Sequence, residues 1–204
     1  MKTLILASGS PRRLDLLRQA GYDPVVRVAD ADESGIPYES GCPGDYVEAL
    51  ARLKNDAVFS SVVLPADAVL VSADTVVVLP DSEDFPHPLG KPKSVEAAEA
   101  MIRALSGRRH EVVTGVMIRD TASGESVVFH EGTEVEFRPL SEAEIRAYCA
   151  TPEPYDKAGG YGIQGLAGKF VRRISGDYCN VVGLPLCRVV EELMKMGYEE
   201  YAAF

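Results

Sequence analysis

Apolar and polar positions along this chain switch repeatedly between a two-residue and a 3.6-residue period. The run from Lys2 to Ala7, with Leu4, Ile5 and Leu6 together, reads as a buried first strand. It stops at Ser8-Gly9-Ser10-Pro11, where Ser10 caps a helix, Pro11 takes its first position and Gly21 lies past its end. A second helix is predicted from about Asp45 to Val58. Val69 to Leu79 follows as a long β-rich run. Ser94 then caps a third helix, on which Ala98, Met101, Ile102 and Leu105 keep helical spacing and Gly107 marks the stop. Two strands, near Glu111–Arg119 and Ser126–Arg138, are joined through the turn-like Ala122-Ser123-Gly124. Ser141 and Glu144 form a capping box for a short helix. A glycine-rich loop leads to a strand around Lys169–Ile174, and a last helix from Pro185 turns Leu186, Val189, Val190 and Leu193 inward. Strand–helix units mixed with a hairpin predict an α/β fold with a mixed, twisted sheet.

A length of 204 residues fits one domain, or one domain with two lobes, large enough to bury a sizeable core. No apolar run approaches the roughly 18 residues of a membrane span. The apolar part of the N-terminal segment is too short for a secretory signal, and Pro11-Arg12-Arg13 follows closely. The expected location is the cytoplasm, with no membrane partner. Cys42, Cys149, Cys179 and Cys187 show neither a C-x-x-C pair nor zinc-ligand spacing, so they read as reduced, mostly structural thiols. A net charge of −10 repels a polyanion, and no basic stripe offsets it, which argues against nucleic acid as a partner. A small anion in a local basic pocket is still compatible with that charge.

Several residues stand where stability alone would not put them. Arg12 and Arg13 fall in the first turn of a helix, against the positive end of its dipole, each at up to ~1 kcal/mol. A phosphate held by Ser8, the backbone N–H groups and the two guanidinium groups would reverse that penalty. The other reading is a plain cap with two solvated arginines. Asp74 follows Ser72-Ala73 in a valine-rich strand and needs a metal ion, waters, a cationic partner or a bond to a nearby cap. Lys54 falls within the stripe of Val47, Leu50, Ala51 and Val58; it either snorkels to solvent or aims its ammonium at a phosphate in a cleft. Lys91 in Leu89-Gly90-Lys91-Pro92 is stiffened by the proline. Asp30, Asp32 and Glu33 make an acidic loop, which is either solvated or of the kind that Mg²⁺ or Mn²⁺ takes.

Gly160-Tyr161-Gly162-Ile163-Gln164-Gly165 satisfies G-x-G-x-x-G, but a dinucleotide site needs a strand before it and a helix after it. Here a loop with Pro152 and Pro154 precedes and a strand-like segment follows, so the Rossmann reading fails. No Walker-type G-x-x-x-x-G-K-[ST] occurs. A flexible glycine loop closing over a base or sugar is left open.

In combination these segments resemble the Maf family of nucleotide pyrophosphatases over nearly the whole chain. The likeness rests on Ala7-Ser8-Gly9-Ser10-Pro11-Arg12-Arg13, Glu33, Leu50-Ala51-Arg52-Leu53-Lys54, Ala73-Asp74-Thr75 and Gly90-Lys91-Pro92. It continues with Tyr155-Asp156-Lys157-Ala158-Gly159, Tyr161-Gly162-Ile163-Gln164-Gly165 and Val182-Gly183-Leu184-Pro185-Leu186. The resemblance implies one domain over residues 1–204, in a two-lobed fold similar to inosine triphosphatases with a central cleft. It also implies a homodimer, a divalent cation (Mg²⁺ or Mn²⁺) and release of pyrophosphate from a nucleoside triphosphate. By the same resemblance Asp74 is the proton acceptor, Ser8, Arg12, Arg13, Lys54 and Lys91 bind the triphosphate, and Glu33 joins Asp74 at the metal. Arg12, Thr75 and Gln164 resemble the class acting on dTTP and UTP, with normal or modified bases. Pro80 to Pro88 makes the connection before Leu89 longer than that family's usual one. A non-catalytic nucleotide-binding regulator of cell division is the alternative; it would need the phosphate ligands but not Asp74.

The expectations share one physical logic. Attack of water on a phosphoanhydride needs charge neutralisation and positioning, with a carboxylate to orient or deprotonate the water. Arginines at the wrong helix end, a lysine on an apolar face and an aspartate among valines all fit one anionic ligand. On this reading either arginine can be removed without loss of stability.

Overall fold

The computed structural model describes residues 2–39, 42–80 and 87–198. The lengthened connection expected between Pro80 and Pro88 therefore lies mostly outside the described residues. Six strands form one sheet: β1 (Thr3–Leu6), β2 (Val25–Val26), β3 (Ala68–Val78), β4 (Arg109–Asp120), β5 (Ser126–Phe137) and β6 (Val171–Ser175). The order across the sheet is β2-β1-β3-β4-β5-β6. The helices are α1 (Pro11–Gln19), α2 (Pro43–Ser61), α3 (Val95–Leu105), α4 (Glu142–Cys149), α5 (Tyr178–Val182) and α6 (Leu186–Lys195). β1 pairs in parallel with both β2 and β3, whereas β5 and β6 pair antiparallel. The fold is α/β with a mixed sheet. No helix among the described residues is long and apolar enough to cross a membrane.

The chain divides into two compact units, within β3, β4 and β5. One comprises Met1–Asp74, Thr114–Glu131 and Gly183–Phe204, the other Thr75–Val113 and Gly132–Val182. In the first unit, α2 buries Val47, Leu50, Ala51 and Val58, the stripe its helical spacing predicts, and Asn55 in addition. Ile5, Ala7, Val58, Ala68 and Leu70 pack together beneath it. A side chain at Gly115 of β4 would meet the backbone of Val47 at 2.3 Å, so only glycine lets α2 approach this closely. Lys2 forms an ion pair with Asp120 and donates to Met196 O at 2.9 Å, tying β1 to the end of α6.

In the second unit, α3 and α4 cover a core that includes Val77, Ile102, Phe137, Ile145 and Phe170. Phe137 makes edge contacts with Tyr161 and His110 at 4.8 and 5.0 Å between ring centres. The Ser141–Glu144 capping box forms as predicted, and Ser94 caps α3 by accepting from Ala97 N.

Two small elements escaped the hydrophobic pattern. β2 is two residues long with both valines exposed, and no period can be read from two positions. α5 spans five residues and is announced only by Asp177, whose carboxylate accepts from Cys179 N at 2.7 Å.

Candidate active site

The parallel register of β1 on β3 ends at Leu6 opposite Val71, with a last bond from Ala7 N to Val71 O. β1 then turns through Ser8-Gly9-Ser10 into α1, while β3 runs on through Asp74 to Val78. Asp74 and Thr75 are half-buried in a strand whose other residues are all buried. The end of a parallel strand leading into a helix N-terminus is where open α/β sheets bind ligands.

Ser10 holds the N-cap position of α1, but its hydroxyl makes no capping bond, and the first turn carries no acidic residue. This departs from the cap expected of Ser10. Ser8 supplies the local order instead, its Oγ accepting from Ser10 N at 3.2 Å and from Arg13 Nη1 at 2.9 Å. Arg13 is buried and also donates through Nε to Gly183 O at 2.8 Å. Burial pushes its pKa down; the charge of Asp74 opposes that shift and Arg12 adds to it. Arg13 is thus a buried clasp between the Ser8 loop and the Gly183 turn, within electrostatic reach of Asp74. Arg12, beside it, is half-buried.

Lys54 lies on α2 facing β3. Its Nζ pairs with Asp74 Oδ1 and with Glu33 Oε1, the latter at 3.0 Å. Ser72 and Asn55 set this arrangement from below. Ser72 Oγ donates to Ala51 O at 2.8 Å, and Asn55 Nδ2 donates to Leu70 O at 3.3 Å and Ser72 Oγ at 3.2 Å. Both residues are fully buried, so these bonds form without competition from water and hold α2 to β3 where Lys54 meets Asp74. Glu33 opens a 3₁₀ turn, Glu33–Gly35, whose preceding residue Asp32 accepts from Ser34 N at 3.0 Å. The acidic cluster is therefore split: Asp32 caps the turn while Glu33 reaches Lys54.

Tyr46 was missed in the sequence. It stands two turns before Lys54 on the same face of α2, at positions 46, 50 and 54, and that spacing was the available signal. Burial raises its pKa first, then the charges of Asp74 and Glu33, against the opposing effect of Lys54. Its ring meets Tyr38 edge-on at 5.4 Å.

The remaining candidates belong to the second unit. Thr75 follows Asp74 directly on β3. Lys91 is exposed in a loop whose Leu89 and Gly90 carbonyls both accept from Gly159 N, at 2.9 and 3.1 Å. Gln164 is exposed in the turn between Tyr161 and Gly165. Gly159 needs to be glycine twice over: its φ is 68°, and a Cβ would stand 2.9 Å from Val77. The G-x-G-x-x-G stretch lies between 3₁₀ turns, Ala158–Gly160 before and Leu166–Phe170 after, and β6 follows, so it has no strand–turn–helix context.

No group of three or more His, Cys, Asp or Glu able to hold a metal occurs among the described residues. Asp74 and Glu33 nevertheless converge on one cation. Mg²⁺-type ions bind through one or two carboxylates completed by substrate phosphates, and this pair fits that donor set. None of the four cysteines forms a disulfide.

A strand turning into a helix whose first turn carries Arg12 and Arg13, and a lysine held between two carboxylates, define an anion-binding class of site. The Maf-like protein family model matches residues 3–196, and the chain belongs to that family. Among its relatives, a dTTP/UTP pyrophosphatase of Symbiobacterium thermophilum is 50% identical over 97% of this chain and 96% of its own. One of the same name from Pelotomaculum thermopropionicum is 46% identical over 97% and 98%, and one from Alkaliphilus metalliredigens 45% over 96% of each.

Proposed function

We propose that this chain is a nucleoside triphosphate pyrophosphatase that converts dTTP and UTP, with normal or modified bases, to the monophosphate and pyrophosphate. The observation that carries the reading is the meeting of Lys54 with Asp74 and Glu33, one ammonium between two carboxylates at the point where β1 stops and β3 runs on. Family membership and relatives named dTTP/UTP pyrophosphatase support it.

The residues divide the work as follows. Ser8, the first turn of α1 and Arg12 bind triphosphate oxygens, and Lys54 and Lys91 add positive charge. Arg13 holds the Ser8 hydroxyl in place and contributes its buried charge. Asp74 accepts a proton from the attacking water as it adds to phosphorus. A divalent cation, Mg²⁺ or Mn²⁺, held by Asp74 and Glu33 would neutralise the phosphate charge that builds up in the transition state. Lys54 keeps the two carboxylates together and exchanges them for phosphate oxygens when substrate arrives. Gln164 reads the base: its amide offers both a donor and an acceptor, matching the N3–H and a carbonyl of uracil or thymine, and Arg12 and Thr75 share in that selectivity. The work is assigned to the cytoplasm, on a small-molecule nucleotide and in a homodimer.

The test is a panel of the common nucleoside triphosphates with Mg²⁺ or Mn²⁺, scored separately for pyrophosphate and orthophosphate. The expected result is pyrophosphate from dTTP and UTP first, abolished by chelator. Undiminished turnover in chelator would remove the metal, and a purine preference would remove the assigned substrates.

A further inference from the structure

The loop that carries Gln164 is rich in glycine, yet Gly159, Gly162 and Gly165 are each in tight contact within the second unit. The stem of Lys157 lies across Gly162, so that a Cβ there would meet Lys157 Cε at 2.8 Å. Tyr148 donates to Gly160 O at 3.1 Å, and Tyr161 OH pairs with the buried His110 Nε2 at 2.7 Å. The strongest hold is Glu153. Its Oε2 accepts from Leu166 N at 2.8 Å, and its Oε1 accepts from Ala167 N at 3.3 Å and from Tyr148 OH at 3.2 Å. A Cβ on Gly165 would stand 2.5 Å from that carboxylate, at an ordinary negative φ. Gly165 is therefore needed for the approach of Glu153 and not for backbone freedom. A carboxylate on two successive N–H groups is a charge-assisted grip, and its negative charge suits the start of the 3₁₀ turn Leu166–Phe170. Two residues before the gripped Leu166 stands Gln164, exposed.

We propose that Glu153 is the positioning residue of the base-reading loop: by gripping Leu166 and Ala167 it fixes where Gln164 presents its amide, and so sets base selectivity. This rests on the assignment of Gln164 as base reader. A base is told apart by whether a donor and an acceptor arrive together at the right spacing, so selectivity depends on how firmly the amide is held. A site displaced by about 1 Å loses up to ~10²-fold in rate. Glu153 touches no substrate in this scheme and acts only through the loop.

The experiment compares Glu153→Gln, Gln164→Ala, the double variant and Val135→Ala, reading kcat and KM for UTP and GTP together with Tm. Val135 is fully buried in the same core and bonds nothing in the loop, so it reports what lost stability alone does. Expected is a fall of roughly tenfold or more in the UTP-over-GTP ratio for Glu153→Gln, carried mainly by KM for UTP. Gln164→Ala should match it, the double variant should add nothing further, and Val135→Ala should lower Tm with the ratio intact. If Gln164→Ala collapses the ratio while Glu153→Gln leaves it unchanged, or if the two effects simply add, Glu153 is not the positioning residue and Gln164 still reads the base. If Gln164→Ala leaves the ratio unchanged, the base-reading assignment fails and this inference with it. Should Glu153→Gln not fold, Tyr148→Phe, which removes one bond to the same carboxylate, takes its place. An unchanged ratio there overturns the proposal.

Discussion

Arg12 and Arg13 are adjacent in the chain and identical in chemistry, but their surroundings separate them. Arg12 is half-buried in the first turn of α1, where the helix dipole works against it. Arg13 is buried and bonded to Ser8 Oγ and Gly183 O. Arg12→Ala should cost less stability than Arg13→Ala, since the helix dipole opposes its charge, while weakening triphosphate binding. Arg13→Ala removes one bond each from Ser8 Oγ and the buried Gly183 O and should cost about 2 kcal/mol or more, besides weakening binding. Urea midpoints and nucleotide titrations of the two variants check this; equal stability losses would contradict it. From the sequence both arginines looked dispensable for stability, because helix position is local information. Which of the two turns inward depends on Gly183, 170 residues away. Lys54, Asp74 and Glu33 were legible as oddities of pattern, a charge in each of two apolar stripes and one in an acidic loop. That they meet one another follows from the β1–β3 register and from the Ser72–Asn55 stitch.

At the level of elements, what the sequence disclosed was whatever short-range spacing encodes. The α4 capping box, the Ser94 cap and the inward face of α2 were readable because each lies within a few residues. The glycine loop was not, since glycine is silent about whether it serves freedom or close contact; Gly162 and Gly165 serve contact with Lys157 and Glu153. Beneath that loop β4 carries His110, whose pKa is pushed by burial down to about 3. The folded state refuses a proton there that an unfolded chain accepts near pH 6.5, so stability falls as pH drops through the window from about 6.5 to 3. Asp120, held down to about 2 first by Lys2 and then by backbone N–H groups, adds a loss of stability below about pH 4. His110→Gln should therefore flatten the decline of the urea midpoint between pH 6.5 and 4.5 relative to the unmodified protein. Parallel declines in the two proteins would show that His110 is not the group responsible.

For the molecule as a whole, the net charge of −10 opposes the approach of a triphosphate, itself strongly anionic. Screening confines that repulsion to about 8–10 Å, so on the proposed reading the few cations of the Ser8–Arg13 loop and Lys54 can decide binding locally. β3, β4 and β5 each contribute to both compact units. The central claim is that this fold brings Asp74 to act on water for pyrophosphate release. Its most direct test is a single-turnover assay with UTP and Mg²⁺, resolving UMP, pyrophosphate and orthophosphate, for the unmodified protein and for Asp74→Asn. The account predicts UMP and pyrophosphate in equal amounts from the first, and from Asp74→Asn the same products at a rate lower by roughly 10²–10⁴, with UTP still bound and the fold intact. Orthophosphate as the first product, or an undiminished rate in Asp74→Asn, would contradict it.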